Sequence, residues 1–158
     1  MSIESVRREF EERGLDIPII ELETSTATVE LAARAHGVEP GMIAKTLAFR
    51  KADGEVFLLV ASGDARIDNR AFRETFGKGK MLDAEHVEAI TGHPVGGVCP
   101  FGLTTPLPVY LDASLKHWDE VMPAAGGIHT AIRIAVPYLA ELLGDNWVAV
   151  TRLPEPAH

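Results

Sequence analysis

The chain reads as an α+β domain around a mixed or largely antiparallel sheet. Two apolar, strand-like runs, 43–51 and 55–61, meet at Asp53-Gly54, the strongest short hairpin signal in the sequence. Strand and helix patterns then follow one another without regular βαβ alternation, which argues against a parallel doubly wound sheet. With 158 residues, 46% of them hydrophobic, the chain has the size and apolar content of one domain with a sizeable core.

The elements follow in order. Ile3, Val6 and Phe10 recur at three- and four-residue spacing within 2–14, an amphipathic helix that Gly14 stops. Residues 17–22 read as a strand, and Pro18, lacking an N–H, favours an edge position. Thr26 or Thr28 caps a helix whose Val29, Ala32, Ala33 and His36 share a face, and Gly37 suits its left-handed end. The hairpin follows, with Lys45 on a central strand. Asp68 or Asn69 caps a helix to Phe76, and Asp83 caps another to Ile90. Residues 107–111, 120–122 and 128–134 read as short strands, 137–143 as a helix opened by Pro137, and 147–150 as a last strand. No repeat, linker or low-complexity stretch interrupts residues 1–153; residues 154–158 read as a loose tail.

Composition narrows the function classes. No apolar run approaches the roughly 18 residues of a membrane span, and Met1-Ser2-Ile3-Glu4-Ser5 lacks the character of a secretory signal, which points to the cytoplasm and away from membranes. The single cysteine, Cys99, forms no intramolecular disulfide, and His36, His86, His93, His117 and His129 lack metal-ligand spacing, so neither metal nor cofactor is expected. A net charge of −8 argues against bulk electrostatic binding of DNA or RNA. Any nucleic-acid contact must be local. One candidate is 66–80, where Arg66, Arg70, Arg73, Lys78 and Lys80 outnumber Asp68 and Glu74; the alternative is a solvated helix face.

Two features carry chemistry. Lys45 is a cation centred in the apolar run Gly41-Met42-Ile43-Ala44-Lys45-Thr46-Leu47-Ala48-Phe49, and such a charge calls for an anionic partner. Residues 92–102 form a loop with Gly92, Gly96, Gly97 and Gly102 besides Pro94 and Pro100, whose amides could closely approach a polar ligand. Together they suggest a phosphate or oxyanion site.

Read with their spacing, these motifs resemble the YbaK/prolyl-tRNA synthetase editing-domain family over nearly the whole chain. The resemblance rests on Thr28-Val29-Glu30-Leu31-Ala32-Ala33 leading to Gly37-Val38, on Ala44-Lys45-Thr46-Leu47, and on Ser62-Gly63-Asp64 with Arg66 and Asp68. Gly96 and Pro100 as Gly-x-x-x-Pro, Leu111-Asp112 and Ala125-Gly126-Gly127-Ile128-His129 complete it. It implies a curved six- or seven-stranded sheet flanked by helices and hydrolysis of mischarged aminoacyl-tRNA, either within the synthetase or in trans.

The resemblance also implies a site. Lys45 would hold a phosphate or the ester's developing charge, and amides around Gly96, Gly97 and Val98 would form an oxyanion site. His129 would position substrate or water, while Val98, Cys99, Pro100, Gly126 and Gly127 would contact substrate. Each residue keeps a plain alternative: a lysine reaching past a strand edge to solvent, a tight turn, a histidine bonded to backbone, a small buried cysteine. Thr46 should face away from Lys45 and stand outside its pocket wall. No Cys-His-Asn constellation supports Cys99 as a nucleophile; Asp64 and Asp112 read as turn and cap residues. Water assisted by the tRNA's ribose hydroxyl is the expected attacking group. Many relatives place a serine where this chain has Ala124, which puts any role for a hydroxyl there in question. The amino acid is not legible, since one methylene decides only about 1–3 kcal/mol; alanine, serine, cysteine, threonine and 2-aminobutyrate all qualify. The acidic charge raises the expectation that a synthetase or another tRNA-binding protein supplies part of the tRNA affinity. A non-catalytic module of the same fold that senses aminoacyl-tRNA, amino acid or nucleotide is the alternative.

Overall fold

Helix α1 (Ser2–Glu12) opens the computed structural model, which describes residues 2–154. Its apolar stripe buries Val6 and Phe10 completely or nearly so, and the Phe10 ring meets Phe101 edge-on at 5.1 Å. Gly14 takes φ +66° while the Leu15 amide closes back on the Phe10 carbonyl, ending the helix as expected. The strand anticipated over 17–22 shrinks to β1 (Ile20–Glu21).

Thr28 caps α2 (Val29–His36) by accepting the Leu31 amide at 3.1 Å, and Gly37 closes it at φ +68°. A short 3-10 turn (Pro40–Met42) leads into the hairpin of β2 (Ile43–Lys51) and β3 (Val56–Ser62), paired from Ala44 opposite Ser62 to Arg50 opposite Val56. Asp53 accepts the Glu55 amide and Gly54 sits at φ +92°, the chemistry that made this turn legible. Then come β4 (Arg66–Ile67), α3 (Asn69–Phe76) capped by Asp68, β5 (Gly79–Met81) and α4 (Ala84–Thr91) capped by Asp83. The remaining elements are β6 (Val109–Asp112), a 3-10 turn (Ala113–His117), β7 (Glu120–Pro123), β8 (Thr130–Ala131), β9 (Ile134–Ala135), α5 (Val136–Leu143), β10 (Trp147–Val148) and β11 (Thr151–Arg152).

The main sheet runs β10-β6-β3-β2-β7-β9, with β5 also on β2, giving seven strands. It is mixed: β2 pairs antiparallel with β3 and β5 but parallel with β7, and β6 runs parallel to both β3 and β10. One face carries Ala44, Ala48, Leu58, Val60 and Leu111 against α1, α5 and Phe101. The other carries Phe49, Phe57 and Leu59 against Phe72 of α3, with Phe57 and Phe76 ring centres 4.4 Å apart.

Two expected strands divide. The run 128–134 becomes β8 and β9 because its halves serve different partners: β8 pairs β1, and β9 pairs β7, with Ile132 buried between them. The run 147–150 becomes β10 on β6, after which Val150 donates to the Asp112 carboxylate and β11 crosses to β4. Strand β5 was not foreseen; all three of its residues are exposed, so it has no alternation to read. Of the expected tail, Pro154 is exposed and 155–158 lie outside the described residues.

Candidate functional site

Strand β2 is only partly covered along one edge. Strand β7 takes Ile43 and Ala44 and β5 takes Phe49 to Lys51, so among the described residues Lys45, Thr46 and Leu47 have a partner strand on the β3 side alone. A cavity of about 370 Å³ occupies this gap, walled by β2, α2, α4 and the 95–98 loop. Since it sits at a strand edge, residues from both faces of the pleat line it. Lys45 and Thr46 both line it, and the expectation that Thr46 stands outside the wall is corrected: alternation separates faces, but an edge exposes both.

The Lys45 ammonium is held by the turn that follows β3. It donates to the Gly63 carbonyl at 3.3 Å and to the Ala65 carbonyl, which leaves one of its three donors for a ligand. Gly63 is the only residue type the turn admits, because a Cβ there would stand 2.2 Å from the Pro40 carbonyl oxygen. The turn is pinned in sequence by Ser62, whose hydroxyl bonds the Gly41 carbonyl and Asp64, and whose amide donates to Ser114 at 3.0 Å. Ser114 is fixed in turn by buried Asp112, which also accepts from Val150 and Thr151. Asp112 therefore caps the 3-10 turn, as expected, and positions the Lys45 cradle at second hand. Burial holds the Lys45 ammonium below the usual lysine range, while Asp64 and Glu30 pull it upward.

The glycine loop lines the same cavity as Lys45. Gly96 and Val98 line the cavity; the Gly97 amide is committed within the turn to the Pro94 carbonyl at 2.9 Å. The amides of Gly96 and Val98 donate to no described residue. Gly97 instead joins the loops: its carbonyl accepts the Gly126 amide, and a Cβ on it would lie 2.8 Å from the Gly127 nitrogen. Gly126 and Gly127 are buried behind the cavity, where Thr130 closes the turn through the Gly127 amide and carbonyl.

The other candidates fall elsewhere. Cys99 is fully buried in the core, its thiol pushed up to about 12 by desolvation, with Phe101 and His93 as neighbours. Pro100 is buried beside it. His129 is exposed and outside the cavity wall; its carbonyl accepts from Leu22. Ala124 does line the cavity, so the hydroxyl this chain lacks would have stood in the wall.

Two wall residues were not foreseen as such. His36 Nε2 and Thr46 Oγ1 are buried without a hydrogen-bond partner among the described residues, in a cavity otherwise dominated by Val, Ala, Ile, Leu and Met side chains. An unpaired buried polar atom costs about 1–3 kcal/mol, and burial keeps the His36 imidazole below its usual range. The only signal in the sequence was the place of His36 on the inward face of α2. Among the described residues, no group of three or more His, Cys, Asp or Glu could hold a metal ion, and no helix is long and apolar enough to cross a membrane.

The chain is similar to known proteins along most of its length. Residues 23–142 match the model of the aminoacyl-tRNA editing domain. The chain is 46% identical over 154 residues to the uncharacterized protein YwhH of Bacillus subtilis, covering 96% of this chain and 98% of that one. It is 26% identical over 126 residues to EbsC of Enterococcus faecalis, named as a candidate Cys-tRNA(Pro)/Cys-tRNA(Cys) deacylase, covering 78% and 77%. A crystal structure described as a candidate trans-editing enzyme for prolyl tRNA synthetase superposes with a TM-score of 0.86 at 35% identity, over 96% of this chain and 97% of that one.

Proposed function

Given that this chain belongs to the aminoacyl-tRNA editing-domain family, we propose that it is a deacylase acting in trans, hydrolysing the ester of tRNA mischarged with a small amino acid. The observation that carries the reading is that one apolar cavity is lined both by a lysine with a spare donor and by Gly96 and Val98, whose amides have no partner among the described residues. A volume near 370 Å³ is at the small end for ligand pockets and suits a small side chain rather than a large one.

In this reading water, assisted by the ribose hydroxyl beside the ester, attacks the carbonyl carbon. The carbonyl electron pair moves onto oxygen, where the Gly96 and Val98 amides receive it. The bond to the ribose oxygen then breaks, and that oxygen leaves with a proton. Lys45 anchors the nucleotide end, and desolvation strengthens its hold on an anion. His129, exposed outside the wall, is given no step; the buried Cys99 thiol contributes no nucleophile.

Deacylation of tRNAs charged with alanine, serine, cysteine, threonine, 2-aminobutyrate and proline tests the reading. Selective release of one or two small amino acids is expected, falling at least about 100-fold in Lys45→Ala and staying near wild type in His129→Ala, with circular dichroism unchanged. Release no faster than spontaneous hydrolysis for the whole panel would favour a module that senses aminoacyl-tRNA without cleaving it, a reading to which Ala124 in the wall lends some support.

A further inference from the structure

The cavity does not end at β5. Met81 and Leu82 wall both it and a second depression of about 420 Å³, whose charged lining is Arg50, Lys51, Lys78, Lys80, Asp83 and His86. The β2–β5 register builds this groove by setting Arg50 opposite Lys80 and Lys51 opposite Gly79. Four cations face one carboxylate here, in a chain whose Asp and Glu outnumber Lys and Arg by 23 to 15. Lys51 is occupied by Glu55 at 3.5 Å and Arg50 acts at a distance on Asp83, but Lys78 and Lys80 have no carboxylate partner among the described residues. Arg50, Lys78 and Lys80 are all exposed.

The fold thereby regroups the basic run anticipated over 66–80. Arg66 lies on β4 beside Arg152 of β11, Arg70 is bonded to Glu74, and neither reaches the cavity. Only the last two cations of that run line the groove beside the cavity, joined by two from β2 that the run did not include. Along an extended strand, Arg50 stands roughly 17 Å from Lys45, the scale of a few nucleotides.

We infer that the strip formed by Arg50, Lys78 and Lys80 binds the phosphodiester backbone next to the ester, holding the end of the tRNA while the cavity holds its aminoacyl group. This rests on the deacylase reading for what sits in the cavity. The strip itself reads phosphate charge, which every tRNA shares, so it supplies affinity and leaves the choice of amino acid to the cavity.

Two measurements on the full chain separate the claims. Binding of uncharged tRNA is followed by fluorescence anisotropy across salt concentrations for wild type, the triple variant Arg50→Ala/Lys78→Ala/Lys80→Ala, and the control Arg70→Ala/Arg73→Ala. Hydrolysis is followed on aminoacyl-tRNA and on the minimal substrate 3′-aminoacyl-adenosine. The triple variant is expected to lose about tenfold or more in tRNA affinity, and its log K against log salt slope to shrink by about two to three, since each of the three lost contacts removes about 0.7–0.9. Its kcat/KM should fall on aminoacyl-tRNA and hold on the minimal substrate, while the control binds as wild type. An unchanged affinity and slope, an equal loss in the control, or an equal fall on both hydrolysis substrates would overturn the strip. If neither substrate is hydrolysed, the deacylase reading fails and the binding arm still decides the strip.

Discussion

His93 lies at the heart of the loop that carries the site, and its protonation should be felt as stability. The imidazole is fully buried, Nε2 stands 2.6 Å from the Phe101 carbonyl, and Nδ1 is buried without a partner among the described residues. Desolvation holds the ring below the usual histidine range, with the Phe101 carbonyl opposing. An unfolded chain takes up a proton near pH 6.5 that the native ring refuses, so this contribution is complete above that value and is lost as the pH falls below it. The melting temperature should therefore drop between pH 7.5 and 5.5, and drop less in His93→Gln, whose amide keeps a donor for Phe101 but does not titrate. His36 is shifted the same way, so the slope should shrink without vanishing. Equal slopes in the two proteins would remove His93 from the account. Of the single residues, Lys45 was legible because a charge inside an apolar strand is conspicuous. Thr46 Oγ1 and His36 Nε2 were not, because a missing partner is a property of what surrounds an atom.

The two glycine-bearing loops act as one element. Gly97 packs on Gly127 with no room for a methyl group, whereas Gly54 at the hairpin tip has nothing within 4 Å of the Cβ position. The same substitution should therefore have two outcomes. Gly97→Ala forces backbone apart behind the cavity and should cost roughly 1–3 kcal/mol together with most of the deacylation rate, because the Gly96 and Val98 amides ride on that contact. Gly54→Ala meets only the positive φ of +92°, should cost about 1–2 kcal/mol, and should leave activity intact. Urea denaturation and single-turnover hydrolysis of both variants check this; loss of activity in Gly54→Ala, or its full retention in Gly97→Ala, would contradict it. Elements with local chemistry were readable in advance. Thr28, Asp68 and Asp83 cap the helices they were expected to cap, and Asp53-Gly54 turns the hairpin. Strands β5, β8 and β11 were missed or misjoined because two or three residues paired to distant partners leave no period in the chain.

On the scale of the whole molecule, the sheet separates two apolar faces that share β2 and β3, so neither face can open without exposing the other. Urea unfolding should consequently be a single transition. Trp118 packs where two of the core clusters meet and Trp147 lies under the Lys116 ammonium on β10, so fluorescence and far-ultraviolet circular dichroism sample different parts of the sheet. Coincident midpoints are expected, and two separated transitions would mean the faces fold apart. The amino-acid sequence by itself determined the α+β class, the central hairpin, the helix ends and the family, since each depends on residue chemistry at short range or on motifs in a fixed order. Only the tertiary structure decided that the edge of β2 lies open between β7 and β5, and that Lys45, Gly96 and Val98 line one cavity there. It also decided that Gly97, Gly126 and Gly127 buttress the cavity from behind, and that Arg50 joins Lys78 and Lys80 beside it. These are juxtapositions of residues far apart in the chain, set by which strands pair and where the pairing stops, and no local pattern encodes them.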